Sequence, residues 1–135
     1  MKKKLLIYTL VLLMLISSTA AGLTGCSAAR ESADSVGSAF VSKLVSRDYA
    51  GAFDYVYVLT SDVNTREEFA ARFTNIYDAL EISDVKLVSR SVEPVSDNEY
   101  ELKYSLALTS KLLGVLTYEY SADIVAGPQG YTVLY

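Results

Sequence analysis

The chain has 135 residues, with 12 lysines and arginines against 16 aspartates and glutamates, one cysteine, and no histidine or tryptophan. A single cysteine excludes an intrachain disulfide. The lack of histidine excludes Ser-His and Cys-His nucleophiles and the usual zinc ligand sets, so we expect no cofactor and no metal site. The net charge of -4 argues against nucleic acid as a partner, because such binding depends on lysine and arginine neutralising phosphates.

The first 25 residues have the layout of a secretory signal peptide. Three lysines follow Met1, an apolar stretch covers residues 5–16, and small and polar residues follow up to position 22. The apolar stretch is shorter than the ~20 residues that a membrane-spanning helix needs. We therefore predict that residues 1–25 are removed on export.

The sequence Leu23-Thr24-Gly25-Cys26 resembles a bacterial lipobox. The resemblance implies cleavage between Gly25 and Cys26 and lipidation of the Cys26 sulfur, with two or three acyl chains that hold the protein stably at a bilayer. We expect a lipoprotein on the extracytoplasmic face of the cell membrane, attached through Cys26. The alternative is an ordinary signal peptide followed by a buried thiol.

The exported part is long enough for one domain. Residues 26–31 form a short, small and polar tether, and we assign residues 32–135 to the domain. Loss of the three N-terminal lysines leaves nine basic against sixteen acidic residues, a net charge of -7. The domain itself is therefore not expected to bind an anionic bilayer directly.

Three helices are predicted in the first half of the domain. Apolar residues recur at helical spacing up to Arg47, and a second run starts at Asp48 and contains Phe53. Thr65 and Glu68 form a capping box that starts the third helix. The predicted apolar faces comprise Val36, Phe40 and Leu44 in the first helix and Phe69, Phe73, Ile76 and Leu80 in the third.

The second half of the domain alternates apolar and polar residues, which is typical of strands. The first strand starts at Val85 and is interrupted at Glu93-Pro94; the other three cover residues 100–108, 116–124 and 131–135. We predict an α+β domain in which three helices pack on one face of a curved, four-stranded antiparallel sheet.

The order of these motifs resembles a known family. The similar stretches are residues 69–82, Tyr104-Ser105-Leu106, Gly114, Leu116-Thr117-Tyr118-Glu119-Tyr120 and Gly130-Tyr131-Thr132-Val133. They resemble the NTF2-like N-terminal domain of MecA-type penicillin-binding proteins, the methicillin-resistance type. The resemblance implies an NTF2-like, cystatin-like cone that acts as a spacer for a downstream D,D-transpeptidase, which crosslinks peptidoglycan and takes part in the response to β-lactams.

The end of the chain departs from the family pattern. Tyr131 and Tyr135 stand where family members usually have tryptophans, and the sequence stops where they continue. We expect a fragment or a stand-alone lipoprotein without the transpeptidase domain. Its partners would be a downstream transpeptidase domain or cell-wall proteins, in addition to the membrane.

Two short stretches, residues 83–86 and 96–98, look like transpeptidase motifs but do not fit that role. Ser83 and Lys86 would point to opposite faces of a strand, whereas a catalytic Ser-x-x-Lys needs a helical turn. Ser96-Asp97-Asn98 has turn chemistry, and residues 111–114 contain leucine where Lys-Thr-Gly requires threonine. We predict no catalytic residues in this chain.

Carboxylates form two groups that could do acid and base chemistry if they were buried. Such carboxylate groups are more commonly solvent-exposed charges on a helix or charges paired across strands of a sheet. The first group, on the solvent side of the third helix, comprises Glu67, Glu68, Asp78 and Glu81; the second, on the polar face of the sheet beside Lys103, comprises Glu99, Glu101, Glu119 and Asp123.

Aromatic residues could line a pocket between sheet and helices, namely Phe73, Tyr104, Tyr118 and Tyr120. Core filling is the simpler interpretation. The favoured function is thus a non-catalytic stalk or interaction domain of a lipid-anchored penicillin-binding protein. The alternatives are a lipoprotein that binds a small ligand in an NTF2-like pocket and, less favoured, a pocket enzyme.

Overall fold

The computed structural model describes residues 31–59 and 63–135. The predicted signal peptide, the cleavage site, Cys26 and all but the last residue of the tether lie outside these ranges. Within the described ranges, every helix is too short or too polar to cross a bilayer.

The helices precede most of the sheet, as predicted. They are α1 (Ala33–Val45), α2 (Tyr49–Ala52), a 3-10 turn (Phe53–Tyr55) and α3 (Arg66–Ala79). The strands are β1 (Val56–Tyr57), β2 (Ile82–Ser96), β3 (Glu99–Ser110), β4 (Gly114–Gly127) and β5 (Gly130–Leu134).

Helix α1 forms where its apolar spacing predicted it. The Ser32 hydroxyl caps the helix by accepting a hydrogen bond from the Ser35 amide at 3.1 Å. The helix ends at Val45 with Ser46 as its C-cap, and Arg47 follows with a left-handed φ of 61°. The predicted apolar face is confirmed as the face that packs on the sheet, since Val36, Phe40 and Leu44 are all buried.

The second predicted helical run forms only one short helix and a 3-10 turn. Asp48 caps α2 by accepting from the Gly51 amide at 2.9 Å. The chain becomes extended at Val56, because β1 pairs there with β5. This pairing with the end of the chain could not be inferred from local helical spacing.

Helix α3 starts at the predicted capping box. The Glu68 amide donates to the Thr65 hydroxyl, and the Glu68 carboxylate accepts from the Thr65 amide, both at 3.1 Å. The Glu68 carboxylate also accepts a hydrogen bond from the Asn64 amide at 2.8 Å. The bond from Asn64 and, after it, the bonds with Thr65 lower the pKa of Glu68.

The predicted apolar face of α3 is wrong at one residue, Ile76. Ile76 is 56% exposed, whereas Tyr77 is only 7% exposed and packs edge-on against Tyr49 with ring centroids 5.6 Å apart. The helical period of 3.6 residues brings positions 69, 73 and 77 onto one face as readily as 69, 73 and 76. The tyrosine ring gains a partner in α2, which settles the choice.

Within residues 31–59 and 63–135, the sheet has five strands in the order β1-β5-β4-β3-β2, one more than predicted. The additional strand, β1, pairs in parallel with β5 through Val56 with Val133 and Tyr57 with Leu134. The other three pairings are antiparallel, as predicted. The two-residue β1 was missed because it is too short to show alternation.

The predicted interruption of β2 at Glu93-Pro94 is also wrong, since β2 continues to Ser96 and Pro94 lies opposite Tyr100. Proline is tolerated because β2 is an edge strand, where an amide that faces away from the neighbouring strand is not needed. Register shifts at Leu87/Ser89 and Pro94/Ser96 interrupt this edge further.

The core lies between α1 and the inner face of the sheet. Leu102, Leu106, Ile124 and Val133 are at most 2% exposed there. At the end of the sheet that carries the β3–β4 turn, the Ser110 hydroxyl donates to the Leu80 carbonyl. It also accepts hydrogen bonds from the turn amides of Leu112 and Leu113. One side chain thus joins the end of α3 to that turn.

Candidate functional site

The predicted pocket residues separate into two aromatic groups. Tyr104 and Tyr120 stack with ring centroids 5.1 Å apart and an interplanar angle of 16°, and Tyr118 lies 6.2 Å from Tyr120. Phe73 instead stacks on Tyr49 at 4.9 Å. The structure therefore brings the three tyrosines together and places Phe73 in a cluster of helical aromatic residues.

The three tyrosines form an open shelf on the inner face of the sheet. Tyr118 and Tyr120 are 42% and 39% exposed, while the more buried Tyr104 packs edge-on against Phe40. Burial raises the pKa of Tyr104 and of Tyr120. A raised tyrosine pKa lies further from neutral, so the shift does not favour acid-base catalysis by these hydroxyls.

Carboxylates lie in a row on the outer face of the sheet, the side away from the helices. Glu101 on β3 lies directly opposite Glu93 on β2 and Asp123 on β4. Like charges directly opposite are destabilising, so this row needs a cation. Lys103 supplies it, with its Nζ 2.9 Å from Glu101 Oε2 and 3.5 Å from Glu93 Oε2.

The ion pairs of Lys103 agree with the expectation of cross-strand charge pairing on this face. The hydrogen bond to Glu101 is the main cause that raises the pKa of Lys103. Within the described ranges, no group of three or more carboxylate or thiol side chains is arranged to hold a metal ion. The four carboxylates predicted to face solvent on α3 and just after it are indeed exposed.

A polar groove of about 450 Å³ lies beside the carboxylate row. Its side chains are hydroxyls and charges of both signs, and the serines were not singled out from the sequence. Serines at alternating positions become a common surface only when the register aligns the strands. The lining is Ser89, Ser91, Glu101, Lys103, Ser105, Glu119 and Ser121, with Tyr104 and Tyr120 at its margin.

A second groove, of about 430 Å³, lies at the β4–β5 turn. Its surface is mainly apolar, with Tyr57, Val125, Pro128 and Leu134 among its lining residues. Like the polar groove, it opens on the surface and is not enclosed between sheet and helices.

The two transpeptidase-like stretches, residues 83–86 and 96–98, lie at opposite ends of β2. The Ser83 hydroxyl donates to the Thr109 carbonyl, and Lys86 pairs with Asp84 at 3.2 Å. Ser96 lies 13 residues further along the strand, roughly 43 Å away in an extended chain at ~3.3 Å per residue. This separation agrees with the interpretation of both stretches as chance matches.

The comparisons with known proteins concern the folded domain. A family model described as the NTF2-like N-terminal transpeptidase domain matches residues 32–135. No curated protein matches the chain.

Three solved structures are similar in fold. An NTF-2 like protein of unknown function from Shewanella oneidensis MR-1 is 10% identical, with a TM-score of 0.49 over 73% of this chain and 89% of that chain. A "Putative calcium/calmodulin dependent protein kinase II association domain" from Xanthomonas campestris is 13% identical, with a TM-score of 0.42 over 74% of this chain and 76% of that chain. A "Putative NTF2-like transpeptidase" from Campylobacter jejuni is 12% identical, with a TM-score of 0.38 over 71% of this chain and 91% of that chain.

All three TM-scores are below 0.5, so family membership rests on the family model and not on these structures. That model spans the whole predicted domain, residues 32–135, and includes every helix and strand described above. The chain therefore belongs to the family of NTF2-like N-terminal transpeptidase domains.

Proposed function

We propose that the chain is a lipid-anchored, extracytoplasmic and non-catalytic domain that holds a peptidoglycan transpeptidase at a fixed place above the membrane. The observation that carries this proposal is the family match over residues 32–135. The lipobox resemblance at Leu23-Thr24-Gly25-Cys26 supports attachment to the membrane.

The direction of the chain through the domain suits a spacer. Helix α1 starts over the middle of β2, where Arg90 pairs with Asp34 at 2.8 Å. It ends near the end of the sheet that carries the β3–β4 turn, where the Arg47 guanidinium donates to the Ile82 carbonyl at 2.8 Å. The helix covers about 20 Å at ~1.5 Å per residue.

The last strand runs in the same direction as α1. Strand β5 leaves the β4–β5 turn and is antiparallel to β4, so it points towards the end of the sheet that carries the β3–β4 turn. A tether at residues 26–31 would place the start of α1 close to the bilayer, and a partner reached from the end of β5 would then lie further from it.

Membrane attachment is tested by replacing the lipidated residue. We expect the full chain, expressed in a bacterium, to incorporate labelled fatty acid and to remain in the membrane fraction. Cys26→Ser should lose both the label and the membrane attachment, because the acyl chains supply the anchoring energy. Ser27→Ala is the matched control; a wild-type chain without lipid, or a Cys26→Ser variant that keeps its label, would contradict the proposal.

The stalk role is tested by identifying the proteins that lie next to the chain in the cell. Crosslinking in intact cells, followed by labelling with a fluorescent penicillin, should reveal a penicillin-binding protein joined to the chain. The nucleotides that follow codon 135 provide an independent check, since an in-frame continuation with Ser-x-x-Lys and Lys-Thr-Gly would supply the transpeptidase directly. The absence of both a crosslinked partner and such a continuation would count against this role.

A further inference from the structure

Two neighbouring cross-strand rows build the polar groove on the outer face. In the first row Lys103 on β3 lies between Ser91 on β2 and Ser121 on β4. In the second row Ser105 lies between Ser89 and Glu119. All six residues line the same groove, together with Glu101. One end presents the ammonium group of Lys103, paired with Glu101, and the other end presents the carboxylate of Glu119.

The charges at the two ends are available to a ligand. Lysine has three N–H donors, and the two ion pairs with Glu101 and Glu93 leave one of them for the groove. The side chain of Lys103 is 51% exposed. In the part of the chain that the structure describes, Glu119 is in no ion pair, so its carboxylate faces the groove without a cation.

Hydroxyl groups lie between the charges. Ser105 is only 6% exposed and forms the floor of the groove, with Ser89 and Ser91 on one side. Each serine hydroxyl can donate one hydrogen bond and accept others. The groove therefore offers both donors and acceptors to the polar groups of a bound molecule.

The spacing of the rows determines the length of the molecule that fits. Side chains two residues apart on a strand are separated by about 6.8 Å. An extended peptide spans at most ~3.6 Å per residue, so the two ends of a dipeptide are about 7 Å apart. A single amino acid is too short to reach both rows, and a tripeptide is too long.

We propose that this groove binds the zwitterionic form of a short peptide, a dipeptide, with its ammonium group at Glu119 and its carboxylate at Lys103, Ser91 and Ser121. A simple anion does not suit the site, because it would leave the Glu119 carboxylate without a cation. A simple cation does not suit it either, because Lys103 shares the groove. A molecule with separated opposite charges satisfies both ends.

Calorimetric titration of the full chain in detergent micelles with alanyl-glycine tests the proposal. Its N-acetyl form, its C-terminal amide and alanyl-glycyl-glycine serve as ligands that each lack one matched feature. Loss of one charge-assisted contact should weaken binding about tenfold. Amide NMR shifts should map to residues 89–91, 103–105 and 119–121.

Glu119→Gln should weaken the binding of alanyl-glycine about tenfold. It should leave the already weak binding of the N-acetyl form unchanged. Glu99→Gln on the same face, outside the groove, is the matched control and should not change binding. The proposal is overturned if the four ligands bind equally, if both variants behave alike, or if no groove amide shifts. Because the readout uses neither lipid nor transpeptidase, these results are independent of the proposed stalk role.

Discussion

Alternate residues of strand β3 divide the molecule into two surfaces with opposite roles. On the inner face, Leu102 and Leu106 are at most 2% exposed and contribute to the core. On the outer face, the neighbouring Lys103 and Glu101 are partly exposed and form ion pairs. Stability therefore depends mainly on the inner face, and residues on the outer face can serve recognition without loss of the core.

The largest expected effect comes from the inner face. Leu102→Ala removes a fully buried side chain from the centre of the sheet and should lower the free energy of unfolding by about 2–5 kcal/mol. Denaturant unfolding followed by circular dichroism measures this. Ser91→Ala on the outer face is the contrasting variant; a similar loss in both variants would remove the distinction between the faces.

The buried tyrosines of the helices and of the inner face should make the free energy of unfolding depend on pH in alkaline solution. Burial raises the pKa of Tyr49, Tyr77 and Tyr104, so the unfolded state loses these protons more readily than the folded state. The free energy of unfolding should then be insensitive to these groups below their ordinary pKa of about 10 and fall as the pH rises above it.

Tyr104→Phe tests the origin of this pH dependence. The variant removes one buried hydroxyl and should make the decline above pH ~10 less steep. Tyr57→Phe, at a side chain that is 61% exposed, is the matched control. Identical slopes for the two variants in denaturant unfolding would show that burial on the inner face is not the cause.

A smaller effect is expected where α1 meets the sheet. A Cβ at Gly37 would lie 3.1 Å from both Ile124 Cδ1 and Val92 Cγ2 and 3.2 Å from Leu102 Cδ1. Overpacking costs ~1–3 kcal/mol, and the gain in helix propensity offsets about 1 kcal/mol. Gly37→Ala should therefore destabilise the fold by about 1 kcal/mol, whereas Ser38→Ala should not; an increase in melting temperature for Gly37→Ala would contradict tight packing there.

The smallest effect is expected on the outer face. Lys103→Ala leaves the row formed by Glu93, Glu101 and Asp123 without its cation, so the protein should be less stable at low salt. High salt screens exposed charges and should reduce the difference from the wild type. Lys86→Ala, which removes only the pair with Asp84, is the control; equal salt dependence would show that the row is not under strain.

Local patterns allowed the helix caps and most of the core to be predicted. The capping box at Thr65 and Glu68 depends only on residues three positions apart, and the α1 face depends on a single period. Strand β1 and the continuation of β2 through Pro94 depend on which strand lies next to them. Such neighbours are set by the topology of the sheet, which residue spacing does not specify.

The candidate sites, too, could be predicted only where residue spacing was sufficient without knowledge of which strands are neighbours. Alternation on two strands predicted that Tyr104, Tyr118 and Tyr120 share a face, and they lie together there, with the rings of Tyr104 and Tyr120 stacked. The polar groove needed the register that brings Ser91, Lys103 and Ser121 into one row. Small polar residues show no hydrophobic periodicity, so they could not be recognised as a site before the strands were aligned.

The hydroxyl of Ser110 has a consequence for local opening of the chain. The exposed turn at Leu112 and Leu113 would ordinarily exchange its amide hydrogens with water rapidly. Both amides donate to Ser110 Oγ, which in turn donates to the Leu80 carbonyl at the end of α3. Their exchange should therefore be slow and should accelerate together with fraying of the last turn of α3, so that two distant segments report one opening event.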